Sequence, residues 1–354
     1  MAAASYNSLG FGSYGYAISN DGIVAGENNG NFFYWQPQSP DTLQFIGGNG
    51  ASSGLGYGGQ ADISADGKRI LGNFNNAATG QSELAIYDRL AGTWTTLGSL
   101  GGTSGVEASS GWGMSRNGKH VAGLGWVGTA TNAHGITWSE ATGVLTDLGT
   151  TTPGRASRAN AISDDGSVVV GWQDSDIGRQ AAVWVNGVQR LLSITNDFGV
   201  FPVGEASAVT PDGRYVTGAG YNAFNWIYDV QTSTLTSLGL LGDFDPFLST
   251  GGTDITDDGK TIIGYQRQFG FGGVNQGYIW QEGVGLTDLT EYAIAAGVKL
   301  PTGRVLTLPL GISADGTQIT GMDNNFEGFI ITVPEPAALG LVMLAVPMLG
   351  RRRK

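Results

Sequence analysis

Ser163-Asp164-Asp165-Gly166-Ser167-Val168-Val169-Val170-Gly171 is the stretch from which the fold can be read. Asp-Gly between two β-type segments is a strong short-range hairpin signal, because these residues accept the positive φ angles of a type I′ turn. The same pattern, a hydroxyl residue, any residue, then Asp-Gly, recurs at Ser19/Asp21, Ser64/Asp66, Thr210/Asp212, Thr256/Asp258 and Ser313/Asp315. Ser115/Asn117 is a seventh copy with Asn in place of Asp. The copies follow one another at intervals of 45 to 57 residues. Seven-fold repetition of a turn residue calls for turn chemistry rather than acid–base chemistry, and the hydroxyls are expected to bond turn backbone.

Working outward, each turn is followed by a short apolar segment ending in Gly. A third segment ends in a large residue (Trp35, Tyr87, Trp138, Trp184, Trp226, Trp280 and Ile331), and a fourth runs to Leu and usually Gly. The recurrent Trp position reads as core packing. The seventh copy stops after its third segment, whereas Tyr6-Asn7-Ser8-Leu9-Gly10 resembles the fourth segment Leu235-Thr236-Ser237-Leu238-Gly239. The expected fold is therefore all-β: a seven-bladed β-propeller of four-stranded blades over 1–332, its last blade closed by the N-terminal strand. A β-solenoid is the alternative. Residues 333–354 form a separate tail with a short apolar helix.

Composition agrees. Of 354 residues 60 are Gly and only 14% are charged, which argues against helical bundles, while 41% hydrophobic content argues against disorder. Without the four basic residues that end the chain, 14 basic side chains face 30 acidic ones. So acidic a body repels phosphate backbones, which excludes nucleic acid as a partner. The absence of Cys and the presence of only two His leave no supply for disulfides, transition-metal clusters or Ser-His-Asp and Cys-His sites. His134 holds a repeat position occupied elsewhere by Asn, Gln or Glu, so a structural hydrogen bond is its expected role.

The hairpin, the apolar strand ending in Gly, and His134-Gly135-Ile136-Thr137-Trp138 with Asn222-Ala223-Phe224-Asn225-Trp226 resemble the extracellular HAF repeat family over about residues 6–331. The tail is similar to a PEP-CTERM sorting signal: Val333-Pro334-Glu335-Pro336, then 337–350 without a charge, then Arg351-Arg352-Arg353-Lys354. That resemblance implies export in a Gram-negative bacterium, recognition by an exosortase, and a cell-surface or matrix address reached through transient anchoring in the inner membrane. An apolar helix closed by cations stalls with its positive end in the cytoplasm. Fourteen helical residues span only about 21 Å, short of a ~30 Å hydrocarbon core, so a processed anchor fits better than a permanent span. Met1-Ala2-Ala3-Ala4-Ser5 has no basic or apolar leader region, so export would call for a signal peptide upstream of Met1.

With the strand before each Asp-Gly innermost, the turns lie on one face and the long variable connections on the other. Recognition belongs on the variable face. Its aromatics Phe74, Trp112, Trp126, Trp172, Tyr221, Tyr265, Phe269 and Phe271, interleaved with Asn and Gly, suit sugar rings, and exopolysaccharide is the expected ligand of a non-catalytic surface protein. The competing role of Phe74, Trp172, Tyr221 and Tyr265 is to cover the blade edge. Calcium needs only oxygen ligands, which Asp174/Asp176 and Asp243/Asp245 could supply. The alternative function is a glycan hydrolase or lyase with two acids across the propeller mouth, drawn from Asp174, Asp176, Asp243, Asp245 and Glu107.

Overall fold

In every copy the Ser-x-Asp-Gly stretch folds into the same locked hairpin. The hydroxyl bonds the side chain two residues on: Ser19 to Asp21 at 2.6 Å, Ser64 to Asp66 at 2.7 Å, Ser115 to Asn117 at 2.8 Å, Ser163 to Asp165 at 2.7 Å, Thr210 to Asp212 at 2.6 Å, Thr256 to Asp258 at 2.8 Å and Ser313 to Asp315 at 2.7 Å. The same oxygen accepts the N–H that opens the next strand, Val168 to Ser163 at 3.0 Å for example. The turn differs from the expected type I′. Gly166 lies at φ 74° while Asp165 is absent from the positive-φ residues, and the Gly166 N–H bonds the Ser163 carbonyl at 3.0 Å. This is a type I turn followed by a left-handed Gly, which needs positive φ once rather than twice. Gly at this position also answers a close approach, since a Cβ on Gly166 would stand 2.8 Å from the His120 ring of the preceding repeat.

The computed structural model describes residues 3–128, 132–176, 178–196, 199–220, 224–243, 248–268 and 275–334. The chain is all-β and propeller-like, its repeats forming four-stranded antiparallel sheets in sequential order over 13–47, 62–96, 109–147 and 157–191. Residues 205–239 and 248–288 supply two further sets, joined where the end of the second strand of one meets the first strand of the other, Ala219 opposite Gly251. The last sheet combines strands from 308–332 with Ser5–Phe11, which pairs antiparallel with Glu327–Thr332, Ser5 opposite Thr332. Four departures from the sequence reading are instructive. In the fifth repeat Tyr228, not Trp226, stands opposite Val216, at the position Trp184 takes opposite Val169. A two-residue slip keeps the same face, so the hydrophobic pattern could not detect it. The connection 290–309 holds the end of a short helix, Leu289–Ala295, capped by Asp288 on the N–H groups of Thr290 and Glu291. Ser193–Asn196 and Gly199–Pro202 form an additional hairpin, and Ala51–Ser53 a 3-10 turn. The expected tail helix lies outside the described residues.

The core sits between neighbouring sheets, which explains the unbroken apolar middle strands. In Val168–Ser175, Val168 and Val170 pack toward the fifth repeat with Ala206, Val216 and Trp226, whereas Val169 packs toward the third with Ala122. Burying both faces in this way contributes roughly 1.5–3 kcal/mol per large side chain. The same arrangement recurs between successive repeats. Leu9 and Ile330 of the last sheet pack against Ile18, Val24, Phe33 and Trp35 of the first.

Candidate binding site at the mouth of the central channel

The innermost strands share a device absent from the sequence reading. Their register slips at one place, between Gly15/Ala17, Gly111/Gly113, Ala159/Ala161, Ala206/Ala208, Gly252/Asp254 and Pro309/Gly311. The residue left over is Tyr16, Trp112, Asn160, Ser207, Thr253 and Leu310 respectively. A β-bulge re-aims its extra side chain out of the ladder. Together with Gln60 and Ala61 of the second repeat, these six line a central channel of two stacked cavities, about 90 and 170 Å³. Close packing makes this possible, a Cβ on Gly113 standing 2.1 Å from the Asn160 carbonyl and one on Gly311 2.5 Å from that of Tyr16.

Toward the turn face the channel narrows on charged groups. Arg116 extends from the third repeat to the Ile18 carbonyl at 3.0 Å and Asn20 Oδ1 at 2.8 Å in the first, and pairs with Asp257 of the sixth at 3.3 Å. Asp62 accepts the N–H groups of Met114 and Ile63, both at 2.7 Å. Asp254 accepts those of Ile312 at 2.9 Å and Ile255 at 2.8 Å. Burial in the channel pushes Asp62 up to about 6 and Asp254 up to about 7, against the lowering pull of those N–H groups and of Arg116. Each carboxylate thereby ties its strand to the next.

The opposite, wider end is the mouth. There Arg158 lies flat on Trp112, its guanidinium 3.5 Å from the ring centroid and 5.3 Å from that of Trp172. Arg179 covers Trp172 at 3.7 Å, and Arg267 covers Tyr265 at 4.5 Å. Glu205 stands between the first two arginines, 3.4 Å from each, and Asp174 is 3.4 Å from Arg179. Burial lowers Arg158 to about 10, with Glu205 opposing the shift and Arg179 adding to it. Stacking an arginine on indole in so desolvated a place is worth on the order of 2 kcal/mol.

Of the aromatics singled out from sequence, Trp112 and Tyr265 line the mouth cavity beside Arg158 and Glu205. Trp172 joins them through the two arginines and is buried. Phe74 is engaged elsewhere, stacked on Trp94 at 5.6 Å, and Trp126 donates to Glu107 at 3.2 Å. Glu107 is buried and raised by that burial, and it accepts the Gly58 N–H at 2.7 Å, fastening one variable connection to another. Tyr221, Phe269 and Phe271 lie outside the described residues. Asp174 and Asp176 face different arginines, Arg179 and Arg155. Asp245 lies outside the described residues, and among the described residues no group of three or more His, Cys, Asp or Glu is placed to hold a metal ion. His134 pairs with Asp147 at 2.9 Å. Val333 is buried and donates to the Thr317 carbonyl at 2.8 Å, beside the Asp315-Gly316 turn, so the chain leaves its last strand on the turn face, away from the mouth. Glu335, Pro336 and Arg351 to Arg353 lie outside the described residues, and no described helix is long and apolar enough to cross a membrane.

Arg158, Arg179, Glu205, Asp62, Asp254 and Arg116 were not among the sequence candidates. The bulge residues beside them do have a columnar signal: counted back from the repeat hydroxyl, the residue one before is Ile18, Ile63, Met114, Ile162, Val209, Ile255 and Ile312, uniformly apolar. Three before, the column Tyr16, Ala61, Trp112, Asn160, Ser207, Thr253 and Leu310 has no common chemistry, as expected of residues released from the core.

No protein-family model and no curated protein sequence matches the chain. Solved structures do resemble it. A chain of the mitotic checkpoint complex superposes with a TM-score of 0.53 at 15% identity, covering 90% of this chain and 86% of that one. A TolB from Agrobacterium tumefaciens gives 0.47 at 16%, over 73% and 90%, and TolB from Acinetobacter baumannii 0.44 at 11%, over 92% and 64%. At such identities the likeness to the checkpoint chain is one of fold.

Proposed function

We propose that the chain is a seven-bladed propeller, exported and sorted by an exosortase to the cell surface or extracellular matrix, where it binds polysaccharide without turning it over. The observation that carries the binding role is the mouth, where bulge residues from successive inner strands and the Arg158–Trp112 stack converge on one cavity. Closure of the ring is supported by the pairing of Ser5–Phe11 with Glu327–Thr332 and by the packing of Leu9 and Ile330 on the first repeat. The exit of the tail beside the Asp315-Gly316 turn supports an orientation in which the mouth faces away from the membrane.

Intact mass and fractionation of the protein expressed from its own locus, upstream sequence included, test the address. Loss of the residues after Pro336, with the body at the surface or in the matrix, is the expected result; a full-length chain retained in the cytosol refutes it. Retention of the purified body on exopolysaccharide, lost in Trp112→Ala, tests the binding role. Asp62 and Asp254, raised by burial in the same channel, favour a second reading as a glycan hydrolase or lyase. Sustained release of reducing ends, abolished in Asp254→Asn, would establish it.

A further inference from the structure

The arginines at the mouth decide what kind of polysaccharide fits. Neutral sugars stack on bare aromatic faces, and here a guanidinium covers one face each of Trp112, Trp172 and Tyr265, with Trp172 held between two. What the mouth lays over those rings is cation, paired with Glu205 and Asp174. Four of the 14 basic side chains that precede the tail, Arg116, Arg158, Arg179 and Arg267, stand along the channel or at its rim, in a body otherwise dominated by acids.

Their present partners use them poorly. Arg158 touches both oxygens of Glu205 through one nitrogen at 3.4 Å, and Arg179 reaches Glu205 at 3.4 Å and Asp174 at 3.4 Å. Charge-assisted pairs close to about 2.7–2.9 Å when the fork is fully engaged. Among the described residues, Nη1 of Arg158 and Nη2 of Arg179 bond nothing, while Nε of Arg158 is fixed on Asn160 Oδ1 at 2.7 Å. Two guanidiniums thus share Glu205 between them, with Asp174 as a further partner of Arg179, beside an open cavity. The planar two-oxygen group of a carboxylate matches the guanidinium fork.

We infer that the mouth takes a carboxylate-bearing sugar, a uronate unit of an acidic polysaccharide, whose carboxylate pairs with Arg158 and Arg179 and takes over the role Glu205 plays in the free protein. The inference rests on the polysaccharide reading and narrows it.

The test is titration of the full chain with a hexamer of α-1,4-linked galacturonic acid and with its carboxyl-reduced, neutral counterpart. The acidic hexamer is expected to bind at least ten-fold more tightly than the neutral one. Arg179→Gln, at a side chain already 40% exposed, is expected to weaken the acidic hexamer at least ten-fold, and Arg158→Lys to do the same because a point charge lacks the fork. Glu205→Gln removes the internal competitor and is expected to tighten binding several-fold, an effect that loss of structure does not produce. Should Arg158→Lys fail to fold, the Arg179 and Glu205 variants decide. Equal binding of the two hexamers, or an acidic hexamer indifferent to both variants, overturns the inference. A neutral hexamer bound in preference, and lost in Trp112→Ala, overturns it while leaving the polysaccharide reading intact; no binding of either removes both.

Discussion

Asp254 makes the stability of this protein fall as pH rises. Its carboxyl titrates from 3.8 in an open environment to about 7 in the channel, so over that interval the folded state holds a proton that the unfolded chain has given up. A folded pKa above the unfolded one means stability is complete below the lower value and lost as pH climbs through the higher. The shift corresponds to about 4 kcal/mol, more than half of it falling between pH 5 and pH 8. Asp254→Asn removes the titration and keeps the shape, but turns an amide NH₂ toward one of the two backbone donors, Ile312 or Ile255, at a cost of about 1–3 kcal/mol. Urea unfolding of parent and variant from pH 5 to pH 8 should therefore show the parent ahead at pH 5 and its lead shrinking by roughly 2–3 kcal/mol, to parity or reversal, at pH 8. Taking the difference removes the titration of Asp62 on its own, which burial pushes up to about 6, and keeps that of Asp254 together with its repulsion by Asp62. Parallel pH profiles would refute the reasoning, as would a lead that widens with pH, which would mean that the N–H groups and Arg116 outweigh burial.

Three further outcomes follow from the geometry. Arg116→Gln withdraws the cation that holds both channel acids down, so the pH at which stability is lost should move upward, read from the same unfolding series. Ser163→Ala deletes an acceptor for Val168 and a donor to Asp165 and should cost about 1–2 kcal/mol in urea unfolding, whereas Ser163→Thr, the residue found at Thr210 and Thr256, should cost little. Removal of residues 3–11 takes away buried Leu9 and the partner of Glu327–Thr332; the truncated chain should lose its cooperative thermal transition and regain it when a peptide of residues 3–11 is supplied in excess.

Turns and strands were legible because their chemistry is local. Ser163 and Asp165 are two residues apart, and the left-handed Gly166 follows immediately, so a linear motif holds the whole device. The N-terminal strand was legible through its likeness to residues 235–239, and the pairing with Glu327–Thr332 bears that out. The short helix could have been read as well: Asp288 with Glu291 gives an N-terminal cap, and Leu289, Tyr292 and Ala293 recur at helical spacing. The mouth was not legible. A bulge breaks period-two alternation by a single residue, and Arg158, Trp112 and Glu205 come from three different repeats, so nothing in the neighbourhood of any one foretells the stack. Aromatic content singled out Trp112, Trp172 and Tyr265; the arginines that cover those rings carry no such local signal.

The pairing of Ser5 with Thr332 also sets the order in which the chain can be completed. Nearly the whole polypeptide separates the two partners, so the last sheet stays one strand short until the final strand has been synthesised. Contacts of such sequence separation form late and slowly. A chain still on the ribosome therefore cannot make this pairing. The seam is thus the last pairing the chain can make, after sheets built from consecutive strands, such as those over 13–47 and 62–96, are already complete in sequence.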